Sequence, residues 1–143
     1  EICACLVGSE MCIRDSIGSV VSVYVMSMIF RLEHVHYVSL LPKSITTAIG
    51  MGVSEEAGGI VTMTIVSIIL TGILGNIVAD GWFKLVGIKE PIAKGLALGT
   101  SAHAIGTAKA LELGEVEGAM SSLSIAVAGL MTVVAVPIMS GLL

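Results

Sequence analysis

Charged side chains are scarce in this sequence. Asp, Glu, Lys and Arg together make up 13% of its 143 residues, whereas soluble domains carry about 25%. Apolar residues make up 55%, and the mean hydropathy is +1.02. The soluble class is therefore excluded, and the composition predicts an all-α integral membrane protein.

Basic clusters and aromatic residues are also lacking. The net charge is −4 and aromatic residues are 3% of the chain, so there is neither a basic face for nucleic-acid phosphates nor a stacking platform for bases. No Gly-Lys-Ser/Thr phosphate loop is present. Ser101 and His103 are too close in sequence for a catalytic triad and have no orienting acid. We expect neither an enzyme nor a bound cofactor, metal or nucleic acid.

Cysteine is absent beyond residue 12. Cys3, Cys5 and Cys12 form a C-x-C-x6-C pattern that would suit a metal or a disulfide. However, the composition changes abruptly after Ser16, and residues 5–16 look like translated sequencing-adapter read-through. We therefore expect residues 1–16 to be non-native, and residues 17–143 to be a transmembrane domain that is truncated at its N-terminus.

Three uncharged runs are long enough, or nearly so, to cross a bilayer, which takes about 20 apolar residues. They are residues 16–30, 57–79 and 118–143. Pro137 comes late enough in the third run to kink the helix without ending it. The sequence predicts three transmembrane helices.

Two further apolar stretches, 38–53 and 95–110, are interrupted by Gly, Pro or polar residues. At an offset of 56, residues 44–50 match residues 100–106 and share Ala-Ile-Gly, although chance is a competing explanation for so short a match. Paired interrupted segments mark transporter binding sites. If both are re-entrant, the two units form an inverted repeat, which we favour. If both span, there are five helices and the units run in the same direction.

The interrupted segments carry the residues that we predict to bind substrate. Hydroxyl groups, cations and a histidine near helix N-termini suit a small carboxylate, and an ionisable side chain at membrane depth indicates function. The alternatives are close helix packing for the hydroxyls, snorkelling for Lys43 and an i, i+3 pair between Lys109 and Glu112. The predicted set is Lys43, Ser44, Thr46, Thr47, Thr100, Ser101, His103, Thr107 and Lys109.

The lysines between the second and third spans predict the orientation. Lys84, Lys89 and Lys94 lie in residues 80–94, which should therefore be cytoplasmic, with Trp82 and Phe83 at the headgroup level.

Several motifs resemble the LrgB/CidB family of membrane proteins. They are residues 41–47 (LPKSITT), 71–75 (TGILG), 117–123 and, above all, the G-T-x-x-H-x-x-G-T-A block that begins at Gly99. The resemblance covers about residues 17–143. The family's characteristic positions are occupied by Pro42, Lys43, Ser44, Thr46, Thr47, Thr100, Ser101, His103, Gly106 and Thr107.

This resemblance implies a multi-pass protein of the bacterial cytoplasmic membrane. Bacterial members are called antiholin-like proteins, and a plant relative is the chloroplast glycolate/glycerate translocator. The family is associated with control of murein hydrolase export and autolysis, with a small holin-like partner (LrgA/CidA) and with movement of small carboxylates. We expect a carrier for small monocarboxylates such as glycolate, lactate or pyruvate, surrounded by lipid and assembled as a homo-oligomer. The alternative is an antiholin-like regulator that acts with the holin-like partner.

Overall fold

The computed structural model describes the backbone of residues 2–142 and the side chains of residue 8 and residues 10–142. Over that range the chain is all-α, as predicted, and has no strand. Its helices are α1 (Ile2–Phe30), α2 (His34–Leu40), α3 (Thr47–Glu56), α4 (Val61–Val86), α5 (Pro91–Leu113) and α6 (Glu115–Ser140). Helix α1 is continuous across residue 16, and the non-native origin of residues 1–16 stays a prediction.

The three predicted transmembrane helices are confirmed as helices long and apolar enough to cross a membrane. They are Glu10–Phe30 within α1, Val61–Val86 and Glu115–Ser140, with mean hydropathies of 1.3, 2.1 and 2.1. Their outward faces carry exposed apolar side chains such as Ile77, Leu85 and Leu130. In a membrane protein such faces meet lipid tails, because burying them in lipid removes them from water.

The first interrupted stretch folds back on itself between α2 and α3. Ser39 near the end of α2 and Ser54 near the end of α3 both reach Thr64, whose Oγ1 donates to the Ser39 carbonyl at 2.8 Å and is 2.7 Å from Ser54 Oγ. Ile45, which lies between these two serines in the sequence, is beside Ile68, and Ile68 is one helical turn after Thr64 on α4. The stretch therefore enters and leaves at the N-terminal end of α4, and it forms a re-entrant hairpin (hairpin 1, 34–56) with its tip at residues 41–46.

The second interrupted stretch folds back within α5. His103 has non-helical backbone angles, φ 42° and ψ −126°. Beyond it, Gly106 lies against the Leu98 carbonyl, and Ala110 shares a hydrophobic cluster with Leu98, whereas twelve residues of straight helix would separate them by about 18 Å. This is a second re-entrant hairpin (hairpin 2, 91–113) with its tip at His103.

The two hairpins enter the bundle from opposite ends. Ser39 and Ser54, which flank the tip of hairpin 1 in the sequence, both contact Thr64 near the N-terminal end of α4, whereas hairpin 2 packs on Ala79 and Phe83 near the C-terminal end of α4. Each unit therefore contains one long helix followed by one hairpin, and the two units have opposite orientations. The inverted repeat is the arrangement found, and the alternative of five full spans is wrong.

Helix α6 packs along both hairpins and holds them in place. Thr107 of hairpin 2 is hydrogen-bonded to Ser121 at 2.7 Å, and the Tyr37 hydroxyl of hairpin 1 donates to the Met139 carbonyl at 2.8 Å. Close approach depends on small residues, since a Cβ at Gly99 would overlap Ser124 Oγ and the Ser121 carbonyl. Small residues serve this purpose throughout membrane bundles.

The contact at Gly99 generates a stability prediction. Gly99→Ala should lower the free energy of unfolding by about 1–3 kcal/mol, because the added methyl group forces hairpin 2 away from α6. The measurement is SDS-induced unfolding in mixed micelles, followed by loss of helical circular dichroism. Gly52→Ala is the matched control: it adds the same methyl group to open space on helix α3 and should leave stability equal or higher by about 0.5–1 kcal/mol. Equal stability of Gly99→Ala and the parent protein would contradict the close packing described here.

Candidate functional site

A cavity of about 660 Å³ lies between α1, the tip of hairpin 1, α4 and the first limb of hairpin 2. Its polar wall brings together four of the residues predicted from sequence with others from α1 and α4. Its charged and hydroxyl-bearing lining residues are Arg14, Asp15, Ser19, Ser22, Lys43, Ser44, Thr71, Thr100 and Ser101, of which Arg14 and Asp15 lie in the segment that we expect to be non-native. We call this space cavity A. Its size suits a small organic ligand.

Lys43 supplies positive charge to cavity A. Its Nζ donates to Ser19 Oγ at 3.2 Å and to Ser44 Oγ at 3.1 Å, and the two hydroxyls are 2.8 Å apart. No carboxylate in the described part of the chain lies within 4.0 Å of this ammonium group. A partly buried cation held by hydroxyls and without a counterion is well suited to receive an anion.

The opposite polar wall of cavity A is formed by α1 and hairpin 2. Thr100 Oγ1 donates to the Leu96 carbonyl at 2.9 Å and is 3.3 Å from the Asp15 carboxylate. Ser101 Oγ donates to the Ala97 carbonyl at 2.5 Å. Both hydroxyls bond to carbonyls within their own helix, which satisfies those carbonyl groups in an apolar setting and leaves the hydroxyl oxygens able to accept.

Lys43 also borders a second space, cavity B, of about 290 Å³. Cavity B is lined mainly by apolar residues of α1 and hairpin 1, including Met26, Phe30 and Leu40, and it shares Ser22 and Lys43 with cavity A. Cavity A extends toward the N-terminal half of α1 and cavity B toward its C-terminal end. Lys43 therefore stands at the junction of two spaces that lead toward opposite ends of the bundle.

His103, Thr46 and Thr47 line a third and much smaller space, cavity C, of about 50 Å³. His103 is 3% exposed, and its Nδ1 is 3.2 Å from the Ile45 carbonyl oxygen, so the tips of the two hairpins are joined there. Among the described residues nothing bonds its Nε2. These three predicted residues therefore lie together, but apart from the wall of cavity A.

Thr107 and Lys109 are not brought to any of these cavities. Thr107 Oγ1 donates to the His103 carbonyl at 2.9 Å and bonds Ser121, which serves packing. Lys109 Nζ is 3.0 Å from Asp80 and 3.4 Å from Glu112. The ion pair between Lys109 and Glu112 that the sequence predicted is therefore present, and Asp80 forms a second ion pair with Lys109.

Sequence reasoning missed the contribution of the long helices to cavity A. Ser19 and Ser22 on α1 and Thr71 on α4 lie in stretches that read as plain transmembrane helices. The available signal was the spacing of Ser19 and Ser22, because residues three apart share one face of a helix.

Comparison with known proteins gives the family. The LrgB-like family model matches residues 7–142. The chain belongs to the LrgB-like family. Its relatives include the antiholin-like protein LrgB of Bacillus mycoides (strain KBAB4), 43% identical over 122 residues, and those of Bacillus cereus (strain B4264) and Bacillus anthracis (strain CDC 684 / NRRL 3495), each 41% identical over 122 residues.

Those alignments cover 85% of this chain and 53% of each relative. The chain therefore spans about half the length of the curated relatives it matches. No solved structure matches it. Membership of the family and the three membrane-capable helices support a membrane protein, and the LrgB-like family is not known as an enzyme family.

Because cavity A is polar, we predict that water reaches the residues that line it but not the outer, apolar face of α1. In a background in which the three cysteines are replaced by serine, Ser19→Cys should react with a charged methanethiosulfonate, because the side chain lines a polar cavity that also holds Lys43. Met28→Cys is the matched control on the same helix, since Met28 is exposed on the apolar outer surface, where a thiol in lipid is not ionised. Mass spectrometry of the intact protein gives the readout. Equal labelling of the two positions would show that cavity A is no more accessible to water than the outer surface of α1.

Proposed function

We propose that this protein is a carrier for small monocarboxylates in the bacterial cytoplasmic membrane, with cavity A as its binding site. The observation that supports the proposal is the position of Lys43: an ammonium group without a carboxylate partner, held by Ser19 and Ser44, at the junction of two cavities. The Lys43 ammonium group can bind one carboxylate, and the other two charged residues that line cavity A, Arg14 and Asp15, carry opposite charges. The Thr100 and Ser101 hydroxyl oxygens can accept from the 2-hydroxy group of glycolate or lactate, and the Ser44 hydroxyl can donate to the 2-oxo group of pyruvate.

The inverted repeat supports a transport role. Carriers commonly place a substrate site where two inverted units meet near the middle of the membrane, and they alternate access by moving one unit against the other. Here the hairpin tips meet beside Gly72 and Gly75, midway along α4. Cavities A and B would be the two routes to Lys43, and one substrate anion would move from the first to the second.

The proposed orientation places the end that carries Lys84, Lys89 and Lys94 in the cytoplasm, following the distribution of positive charge. Cavity A lies toward this end, since Trp82 and Phe83 border it. We further propose a multi-pass arrangement and self-association of the full-length protein.

The test is uptake of labelled glycolate, lactate and pyruvate into proteoliposomes that contain a protein of full family length carrying residues 17–142. Lys43→Gln should reduce saturable uptake by at least about tenfold, since an uncharged amide gives up the charge-assisted hydrogen bonds to the carboxylate. Lys89→Gln is the matched control on an exposed loop and should retain uptake. Unchanged uptake in Lys43→Gln, or no saturable uptake by the folded parent protein, would overturn the carrier proposal.

A second candidate function is supported by the name of the relatives, antiholin-like protein LrgB. In this proposal the protein regulates murein hydrolase export and autolysis by assembling with a small holin-like membrane protein. It predicts co-purification with that partner, and a change in autolysis that persists in Lys43→Gln. If the autolysis change disappears together with uptake in Lys43→Gln, regulation depends on carboxylate movement and not on assembly alone.

A further inference from the structure

His103 has a positive φ, a backbone conformation that residues other than glycine rarely adopt. Its φ of 42° and ψ of −126° match the first central residue of a type II′ turn, a position dominated by glycine and asparagine. Glycine would reverse the chain there without strain, yet the break carries an imidazole. Backbone outliers of this kind gather at functional sites, and they are the starting point for a functional hypothesis.

The imidazole is satisfied at one nitrogen only. When Nδ1–H donates to the Ile45 carbonyl at 3.2 Å, Nε2 carries a lone pair, and in the described part of the chain it has no hydrogen-bond partner although the side chain is 97% buried. Leaving a buried acceptor unpaired is unfavourable. A proton on Nε2 turns this acceptor into a donor, and the Thr46 and Thr47 side chains line the same cavity C.

Among the residues that the structure describes, those that line cavity C with the ring are uncharged, and the nearest charged side chain along hairpin 1 is Lys43. Helix α4 presents Ile68, Ile69 and Gly72 to cavity C, and the neighbouring residues of hairpin 2 there are alanine and isoleucine. Lys43 precedes Ile45, whose carbonyl bonds the ring, by two residues, and a positive charge this near in an apolar setting disfavours a second positive charge on the ring. A carboxylate bound at Lys43 neutralises this charge, so anion binding favours proton binding at His103, and by linkage the proton favours the anion equally.

We propose that His103 is the proton-binding site that couples carboxylate transport to a proton gradient. The Nε2 lone pair takes a proton from water on one side of the membrane and returns it to water on the other side, and no other bond is formed or broken. Substrate and proton occupy different cavities and interact through Lys43. The inference rests on the proposed carrier function and adds its coupling ion.

His103→Asn is the decisive variant. The asparagine amide keeps a donor near the position of Nδ1 for the Ile45 carbonyl, and asparagine tolerates positive φ, but it has no nitrogen that titrates. In proteoliposomes containing the full-length protein, substrate exchange without a gradient should remain within about twofold of the parent protein, because the Lys43 site is intact. Accumulation driven by an imposed pH gradient should fall at least about tenfold, since a bound proton can no longer be carried. His36→Asn, an exchange of the same residue types outside the cavities, should change neither rate.

Each other outcome is informative. Gradient-driven accumulation that persists in His103→Asn would overturn the proposal, as would a parent protein that exchanges substrate but does not respond to the gradient; in both cases the carrier function survives. Equal loss of exchange and accumulation in folded His103→Asn would also overturn it and would show that His103 serves only to join the hairpins. Absence of substrate exchange in the parent protein would mean that the carrier function itself fails.

Discussion

The fold depends on the hydrogen bond between the tips of its two re-entrant hairpins. A helix that stops halfway through an apolar layer exposes backbone polar groups where no water can satisfy them. Hairpin 1 leaves the Ile45 carbonyl in this situation, and His103 at the tip of hairpin 2 lies within hydrogen-bond distance of it. This hydrogen bond therefore satisfies a carbonyl at the first interruption with a side chain from the second, and it joins the two inverted units at their breaks.

Glycine residues on α4 allow hairpin 2 to pack closely enough for the two hairpin tips to reach each other. Gly72 and Gly75 on α4 face Ala102 and Ile105 of hairpin 2, and a Cβ at either glycine would overlap those residues. Hairpins with bulkier neighbours would be held away from α4, and their tips would not reach each other. The high content of small residues is thus explained by packing at some positions and by the polar lining of cavity A at others.

The sequence predicts best those structural features that depend on a few neighbouring residues. The three long helices and the two interruptions were predicted correctly, because hydropathy and helix-breaking residues act over a few neighbours. The assignment of residues to cavities was less predictable. One residue, His103, reverses the direction of α5, so that Thr107 turns toward Ser121 and Lys109 toward Asp80. A linear pattern does not contain that reversal, nor does it show that Ser19 on α1 meets Lys43.

The contacts of Lys43 in cavity A could link the proposed carrier function to the proposed regulatory function. Lys43 is bonded both to α1, through Ser19, and to its own hairpin, through Ser44. An anion that competes for the ammonium group would loosen the link between α1 and hairpin 1, so occupancy of the site would change how these elements sit against each other. A partner that contacts α1 would then sense substrate. Under the two functions proposed above, carboxylate movement and control of autolysis would both follow from the contact between the Lys43 ammonium group and the substrate, and the regulatory role would not require a separate binding surface.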